Sequence, residues 1–326
     1  MELSLGRVLL EAIEVKKYYP YRRTFWGNPY SYIKAVDGVS LNIKEGETFG
    51  LVGESGCGKS TLSRTLLGLE PPTSGKVLFE GAELPRKMPP KIRQKIQMIF
   101  QDPIASLNPR WTIGELIREP LLIHKTCSPA ESVERAKEMM ELCGLPRDYY
   151  NRYPNEFSGG QCQRVGIARA LILKPRLVIC DEPVSALDVS VRSQVLNLLL
   201  ELQEKMGLTY LFVSHDLAVI RTICDRVGVM YLGKLMELAE VEELFFHPLH
   251  PYTLALISSI PLPDPQKQRQ RQRIILTGDV PSPINLPPGC RFHTRCLRAK
   301  ARCQEEEPTL KEIAPGHLVA CHYPLE

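Results

Sequence analysis

Short apolar segments alternate with amphipathic segments along most of the chain. Four of the apolar segments have the length and continuity of buried strands: Thr48–Val52, Ile96–Phe100, Leu177–Cys180 and Leu208–Val213. Three segments have helical spacing: Lys59–Leu67, Val133–Cys143 and Ser193–Met206. Gly144 closes the second of them and Gly207 the third. Strands that alternate with helices predict an α/β fold, in which helices cover both faces of a mainly parallel sheet.

The pattern changes near His247, where prolines become frequent. We therefore predict two domains, residues 1–246 and residues 247–326. The polar, basic run Gln266–Arg273 is interpreted as a solvated linker, and contact with acidic lipid headgroups is the alternative. No internal repeat is found, so the first domain is a single unit.

Composition and charge exclude several classes of protein. Lys and Arg number 41 against 37 Asp and Glu, and a net charge of +4 does not indicate nucleic-acid binding. No apolar stretch approaches the roughly 18 residues of a membrane span. The N-terminal residues lack the charged, apolar and small regions of a signal peptide. We expect a protein that serves any membrane from its cytoplasmic side.

A phosphate-binding loop is predicted at GESGCGKST, which begins at Gly53 and matches G-x4-G-K-[ST]. The glycines allow successive backbone N–H groups to point at phosphate oxygens. Lys59 would add a charge to the β and γ phosphates, and Ser60 a hydroxyl to Mg²⁺. A plain glycine-rich turn is the alternative, and the position between a strand and a helix favours the phosphate loop.

Two carboxylates follow the apolar strand Leu177–Cys180. A carboxylate at the end of a buried strand is costly to desolvate unless it meets a cation. Asp181 would therefore bind Mg²⁺ directly or through water, and Glu182 would act as general base toward the attacking water. A pair of capping carboxylates is the alternative reading, and the phosphate loop favours the catalytic one.

The segment Phe157–Gln161 precedes a helical run and resembles the signature Leu-Ser-Gly-Gly-Gln of the ABC ATPase family. Locally, Ser158 is also a good N-cap for the helix. Three further family elements follow in the family's order: Gln101 of the Q-loop, Ser185–Asp188 of the D-loop and the switch histidine His215. Phe157 replaces the usual leucine and Cys162 a basic or polar residue, and neither change affects Ser-Gly-Gly.

The resemblance implies an ABC-type P-loop NTPase with an antiparallel β subdomain and a helical subdomain at about 102–157. It implies Mg²⁺ ligands at Ser60, Gln101 and Asp181, and catalytic roles for Lys59, Gln101, Glu182 and His215. ATP would contact Tyr19 or its alternative Tyr18, and Gly53, Glu54, Ser55, Gly56, Cys57, Gly58, Lys59, Ser60 and Thr61. A partner subunit's ATP would contact Ser158, Gly159, Gly160, Gln161 and Asp188.

Four cysteines lie within the last 40 residues: Cys290, Cys296, Cys303 and Cys321. This segment is similar to the C-terminal extension of ATP-binding subunits of dipeptide, oligopeptide and nickel importers, and His250–Thr253 shares that similarity. Over nearly the whole chain the closest resemblance is to the second ATPase subunit of a dipeptide importer. Four cysteines without paired C-x2-C spacing favour a [4Fe–4S] cluster, with zinc or packed free thiols as alternatives.

The predicted function is that of an ATP-hydrolysing motor subunit of an ABC importer for peptides or a similar small solute. The resemblance implies a peripheral position at the cytoplasmic face of the membrane. It implies a paralogous ATPase, two transmembrane permeases and, indirectly, an extracytoplasmic solute-binding protein as partners, and no nucleic acid. One alternative is a soluble ABC ATPase acting on ribosomes or DNA. Another is a non-hydrolysing ATP sensor, which the intact Glu182 and His215 disfavour.

Overall fold

The computed structural model describes residues 6–23, 29–261 and 274–326. The predicted linker Gln266–Arg273 therefore lies outside the described residues. The described chain divides into two compact units. The first contains Lys44–Thr48 and Pro85–Val213, and the second contains the described parts of Val8–Ile43, Phe49–Leu84 and Ser214–Glu326.

The first unit is built on a parallel sheet of three strands in the order β6-β7-β8. Every residue of the second and third of these strands is buried, which explains why the sequence shows them as continuous apolar runs. The strands are β6 (Ile96–Ile99), β7 (Leu177–Asp181) and β8 (Thr209–Val213). The strand predictions in this region are confirmed to within one residue at each end.

The described part of the first unit contains five helices, and the last four of them begin next to a polar N-cap residue. They are α2 (Pro90–Lys95), α3 (Ile113–Ile123), α4 (Pro129–Leu142), α5 (Gly159–Leu171) and α6 (Val189–Met206). Helix α6 begins at Val189 rather than at the predicted Ser193. Val189 and Ser190 are exposed and the first buried residue of the helix is Val195, so the amphipathic pattern starts only later. Gly207 ends it in the left-handed conformation, with φ of 65°.

Helix α3 packs against α4 and α5, and this packing forms the helical part of the first unit. Thr112 and Glu115 form a capping box at the start of α3, and Ser128 caps α4. The predicted helical subdomain, 102–157, contains α3, α4 and two short 3-10 helices. Its limits remain a prediction.

The second unit contains a four-stranded sheet in the order β2-β1-β4-β5, in which β4 pairs antiparallel with both β1 and β5. Its strands are β1 (Val8–Arg23), β2 (Pro29–Lys44), β4 (Ser74–Phe79) and β5 (Ala82–Glu83). A second set of strands combines one parallel pair, β3-β9, with the antiparallel run β9-β10-β12-β11. These are β3 (Thr48–Val52), β9 (Arg226–Tyr231), β10 (Lys234–Glu240), β11 (Lys311–Ala314) and β12 (His317–Val319).

The helices of the second unit are short. They are α1 (Lys59–Leu66), α7 (Leu217–Ile223), α8 (Val241–Phe246), α9 (Pro251–Ser258) and α10 (Ala301–Glu305). No helix within the described residues is both long and apolar enough to span a bilayer.

A fully buried carboxylate joins the C-terminal segment, residues 247–326, to β10. Glu237 accepts hydrogen bonds from the backbone N–H groups of Leu249 (2.7 Å) and His250 (2.9 Å). One of its oxygens also lies 2.7 Å from Nε2 of His317 in β12, which is almost fully buried. These contacts satisfy a charge that would be very costly to bury alone.

His250 caps α9 through its ring, because Nδ1 accepts a hydrogen bond from the N–H of Tyr252 at 3.0 Å. An acceptor nitrogen carries no proton, and burial lowers the pKa of His250 from 6.5 to about 4, although the nearby Glu237 acts in the opposite direction. The unfolded chain therefore binds an additional proton between these two pH values, so His250 reduces stability as the pH falls.

We predict that the free energy of unfolding decreases as the pH falls from 6.5 toward 4, with roughly 3 kcal/mol of that loss due to His250. His250→Asn keeps a capping acceptor but does not titrate, so its stability should depend less on pH. Urea denaturation at several pH values measures both. Parallel pH profiles for the two proteins would contradict the prediction.

Candidate nucleotide site

The backbone of the predicted phosphate loop requires glycine at two positions. Gly53 has φ of 151°, and an added Cβ would lie 2.2 Å from the carbonyl oxygen of Met230. Gly58 has φ of 105°, and its Cβ would lie 2.0 Å from the carbonyl oxygen of Ala35. The loop connects β3 to α1, as the sequence predicts. Its close backbone contacts fix the path of the chain at both ends of the loop.

Lys59 lies at the start of α1 and is 5% exposed. Its ammonium group donates to the carbonyl oxygens of Gly53 (2.8 Å) and Glu54 (3.1 Å), so the lysine spans its own loop. Cys57 lies beside it, with its sulfur 3.8 Å from Nζ. Burial raises the pKa of the Cys57 thiol, which keeps this side chain neutral.

Other loop residues differ in exposure. Ser55 and Gly56 are exposed, whereas Ser60 and Thr61 are half-buried in the first turn of α1. The hydroxyl of Tyr19 hydrogen-bonds to the side chains of Glu70 and Thr61, so this ring lies beside the loop's helix. Tyr18 instead bonds to Asp37. Proximity to Thr61 favours Tyr19 over Tyr18 for the adenine contact, which remains a prediction.

In the first unit, three predicted site residues lie near the end of β7. Asp181 ends this strand and is 5% exposed. Glu182 follows in the left-handed region, with φ of 49°, and its N–H donates to the carbonyl oxygen of Val213 at 3.0 Å. The amide of Gln101 donates to the Glu182 carboxylate at 3.0 Å. The structure thus brings Gln101 and Glu182 together directly.

The signature segment forms the N-terminus of α5, again in the first unit. Ser158 and Gln161 make a capping box: Ser158 Oγ accepts from the Gln161 N–H (3.3 Å), and Gln161 Oε1 accepts from the Ser158 N–H (2.9 Å). The N-cap prediction for Ser158 is therefore confirmed. Gly159 precedes Gly160, whose added Cβ would lie 2.3 Å from Val191 Cγ1. Asp188 is exposed at the start of α6.

His215 is exposed and follows Ser214, whose N–H donates to the carbonyl oxygen of Leu51 at 3.1 Å. This backbone bond places the start of the His215 segment beside β3, the strand that leads into the phosphate loop. The His215 segment and the phosphate loop both belong to the second unit.

The four C-terminal cysteines line one small cavity with three histidines: Cys290, Cys296, Cys303, Cys321, His250, His293 and His322. All four are free thiols, and burial raises the pKa of Cys290 to about 11. Among residues 6–23, 29–261 and 274–326, however, no group of three or more His, Cys, Asp or Glu is arranged to hold a metal ion. The structure therefore gives the [4Fe–4S] and zinc predictions no support beyond the shared cavity.

Comparison with known proteins adds to this geometry. Residues 36–185 match the ABC transporter family, and residues 236–303 match the oligopeptide/dipeptide transporter C-terminal region. The oligopeptide transport ATP-binding protein AppF of Bacillus subtilis is 54% identical over 326 residues, which covers 99% of both chains. The chain belongs to the ABC transporter ATP-binding proteins.

Other relatives of this ABC protein cover almost its whole length. Escherichia coli OppF, an oligopeptide transport ATP-binding protein, is 53% identical over 97% of this chain and 96% of its own. Escherichia coli DppF, a dipeptide transport ATP-binding protein, is 50% identical over 98% and 96%. Among solved structures, a post-hydrolysis dimer of the ATP-binding cassette MJ0796 bound to ADP and Pi is 32% identical, with a TM-score of 0.63. It covers 72% of this chain and 99% of its own.

These comparisons confirm the predicted family, the ABC ATPase fold and the ATP-hydrolysing role of the ABC protein. They do not favour the alternative of a soluble ABC ATPase acting on ribosomes or DNA.

Sequence reasoning missed two residues that contact the phosphate loop, Tyr252 and Arg295. The N–H of Glu54 donates to Tyr252 Oη at 3.0 Å, and Arg295 Nη1 lies 2.8 Å from Glu54 Oε2. No local pattern signals either contact, because more than 190 residues separate the partners.

We predict that Gly58→Ala weakens MgATP binding about tenfold or more. The added Cβ would clash with the carbonyl oxygen of Ala35, and alanine is strained at the positive φ of this position, so the loop or Ala35 must move. Gly166→Ala is the matched control, since Gly166 lies in α5 with open space around its Cβ position. Equilibrium titration with MgATP measures both. Wild-type affinity in Gly58→Ala would show that the close approach does not matter.

Proposed function

We propose that the chain is the ATP-hydrolysing motor of a peptide importer, with oligopeptides or dipeptides as the transported solutes. The observation that carries this proposal is the full-length similarity to AppF, OppF and DppF, whose names describe oligopeptide or dipeptide transport. The match to the oligopeptide/dipeptide C-terminal region supports the same solute class. We place the chain at the cytoplasmic face of the membrane, where it binds two permeases that receive solute from an extracytoplasmic binding protein.

In the proposed chemistry, one set of residues binds the phosphates and another set binds Mg²⁺. The loop Gly53–Thr61 binds the phosphates through backbone N–H groups and Lys59. Ser60, Gln101 and Asp181 supply oxygen ligands, which are the donors that Mg²⁺ prefers. Mg²⁺ neutralises phosphate charge when it is bound.

Glu182 orients and deprotonates the attacking water, and two neighbours assist it. Gln101 supports this role by donating to the Glu182 carboxylate, which holds the carboxylate in one orientation. His215 donates to the γ phosphate as negative charge develops on it. Tyr19 stacks against the adenine ring.

We propose a dimer with a paralogous ATPase, in which the signature acts on the partner's nucleotide. Ser158, Gly159, Gly160, Gln161 and Asp188 would face that nucleotide. The N-terminus of α5 supports this role, because the first N–H groups of a helix and the helix dipole attract phosphate. The similar cassette MJ0796 has been solved as a dimer bound to ADP and Pi.

We also propose that the segment 247–326 is a separate functional part whose four cysteines hold a [4Fe–4S] cluster, with zinc as the alternative. Four thiols around one cavity are the donor set that such a cluster requires. Burial raises the pKa of Cys290, Cys296 and Cys321, so the ligands would lose protons as they bind metal. The group would serve as a structural cross-link in a segment with little core of its own.

Glu182→Gln should bind MgATP yet hydrolyse it about 10²–10⁴-fold more slowly, because the amide cannot accept the water's proton. The assembled ATPase pair should then accumulate as a dimer in MgATP, which size-exclusion chromatography detects. Lys59→Ala should lose tight nucleotide binding instead. Steady-state turnover near wild type in Glu182→Gln would remove Glu182 from this role and weaken the proposed function.

Protein purified without oxygen should contain about four irons and four acid-labile sulfides per chain, the content of one [4Fe–4S] cluster. Serine at Cys296 should destabilise the C-terminal segment more than it lowers hydrolysis, and Cys127→Ser is the control outside the cavity. Metal analysis with sulfide assay decides the point. One zinc and no iron per chain would show that the cysteines hold zinc instead of a cluster. Absence of any metal would show that the thiols are only packed against their neighbours.

A further inference from the structure

The loop between Cys290 and Cys296 carries two buried arginines that reach away from the cysteines. Arg291 is 4% and Arg295 is 8% exposed. The guanidinium of Arg291 donates to the carbonyl oxygen of Leu232 and to the carboxylate of Asp37. Arg295 instead bonds to Glu54, the second residue of the phosphate loop. One short loop of the C-terminal segment therefore makes charged hydrogen bonds to Asp37 and to the phosphate loop.

Glu54 is held at three separate points. Its carboxylate Oε2 accepts from Arg295 Nη1 at 2.8 Å, and its N–H donates to Tyr252 Oη at 3.0 Å. Its carbonyl oxygen accepts from the ammonium group of Lys59 at 3.1 Å. The first two contacts come from the C-terminal segment and the third from the phosphate loop itself. The same residue thus connects the C-terminal segment to the lysine expected to bind phosphate.

Packed rings fix the two C-terminal groups in place. The ring of Tyr252 lies 4.9 Å from that of Tyr231 and 5.2 Å from that of Phe292, between centroids. Phe292 and Tyr231 meet edge to face at 5.4 Å. Arg295 also contacts Tyr231, with Nη1 3.4 Å from the hydroxyl oxygen. Tyr252 and Arg295 therefore have little freedom to move independently of this cluster.

These contacts have a direct consequence for nucleotide binding. A loop that presents backbone N–H groups to phosphate must lose conformational freedom on binding, and pre-ordering the loop removes part of that cost. Arg295 is charged and almost fully buried, so its bond to Glu54 belongs to the stronger class of hydrogen bonds. Releasing Glu54 would free the loop's second residue and alter the surroundings of Lys59.

We propose that Arg295 and Tyr252 are positioning residues of the nucleotide site: through Glu54 they hold the phosphate loop in its binding conformation and so set the affinity for MgATP. This inference rests on the nucleotide role proposed for Gly53–Thr61. It gives the C-terminal segment a part in the ATPase reaction. It also makes the conformation of the Cys290–Cys296 loop a determinant of nucleotide affinity.

Arg295→Gln and Tyr252→Phe in the full-length chain test the proposal. Arg295→Gln should weaken MgATP binding about tenfold, the effect of losing one charged hydrogen bond, and Tyr252→Phe should weaken it a few-fold. In the assembled ATPase, KM for ATP should rise while kcat changes little, because neither residue is expected to contact the reacting atoms. Arg295→Lys should restore part of the affinity.

Matched controls separate positioning from general destabilisation. Arg302→Gln removes an exposed arginine that pairs with Glu306 on α10 of the same segment. Tyr210→Phe removes a buried hydroxyl that donates to the carbonyl oxygen of Leu199 in the other unit. Both controls should keep wild-type KM. If Tyr210→Phe raised KM as much as Tyr252→Phe at equal loss of stability, the effect would be general and the proposal would be wrong.

A double-mutant cycle with Glu54→Gln supplies the decisive readout. If Arg295 acts through Glu54, adding Arg295→Gln to Glu54→Gln should cause little further loss of affinity. Additive losses, or wild-type affinity in Arg295→Gln, would overturn the proposal. Lys59→Ala distinguishes this failure from failure of the proposed function. If Lys59→Ala loses MgATP and Arg295→Gln does not, only the positioning role falls, whereas normal binding by Lys59→Ala would refute the phosphate loop itself.

Discussion

The buried carboxylate of Glu237 determines how the C-terminal segment is attached. It receives two backbone N–H groups just before α9 and the ring of His317 in β12, so it ties two distant stretches of chain to β10. Because the carboxylate is fully buried, breaking one of these contacts would leave a charge or a polar group unsatisfied, which is far more costly than losing an exposed ion pair. This anchor places α9, and hence Tyr252, next to the phosphate loop.

The attachment changes how the C-terminal segment is understood. Its cysteines make it resemble a small, separately stabilised appendage, yet it belongs to the same compact unit as the phosphate loop. Arg291 and Arg295 help to join it to this unit, since each donates to a carboxylate outside the segment. The two arginines flank Phe292, His293 and Thr294, so the cavity of thiols and the contacts to Asp37 and Glu54 share one stretch of backbone. A change at the cysteines therefore has a short physical route to the nucleotide site.

Sequence reasoning succeeded where one stretch of chain contains the whole signal. Strands β7 and β8 are buried on both faces and show as apolar runs, and the phosphate loop and the Ser158 cap are each defined by neighbouring residues. It failed at contacts between distant residues, since nothing near Arg295 in the sequence indicates Glu54 as its partner. The start of α6 was misplaced because Val189 and Val191 in its first turn are not buried and so fall outside its apolar pattern.

Two segments that we propose to bind nucleotide are held by contacts that involve no nucleotide. In the second unit, Glu54 is fixed by Arg295 and Tyr252, and in the first unit the capping box fixes Ser158. The Ser158 oxygen accepts from the Gln161 N–H, which leaves the hydroxyl hydrogen available to donate. A donor held in this way contributes to binding without a large loss of side-chain entropy. In the dimer that we propose, both segments would therefore be ordered before ATP arrives, and the free energy of binding ATP would remain available to drive association of the two ATPase subunits.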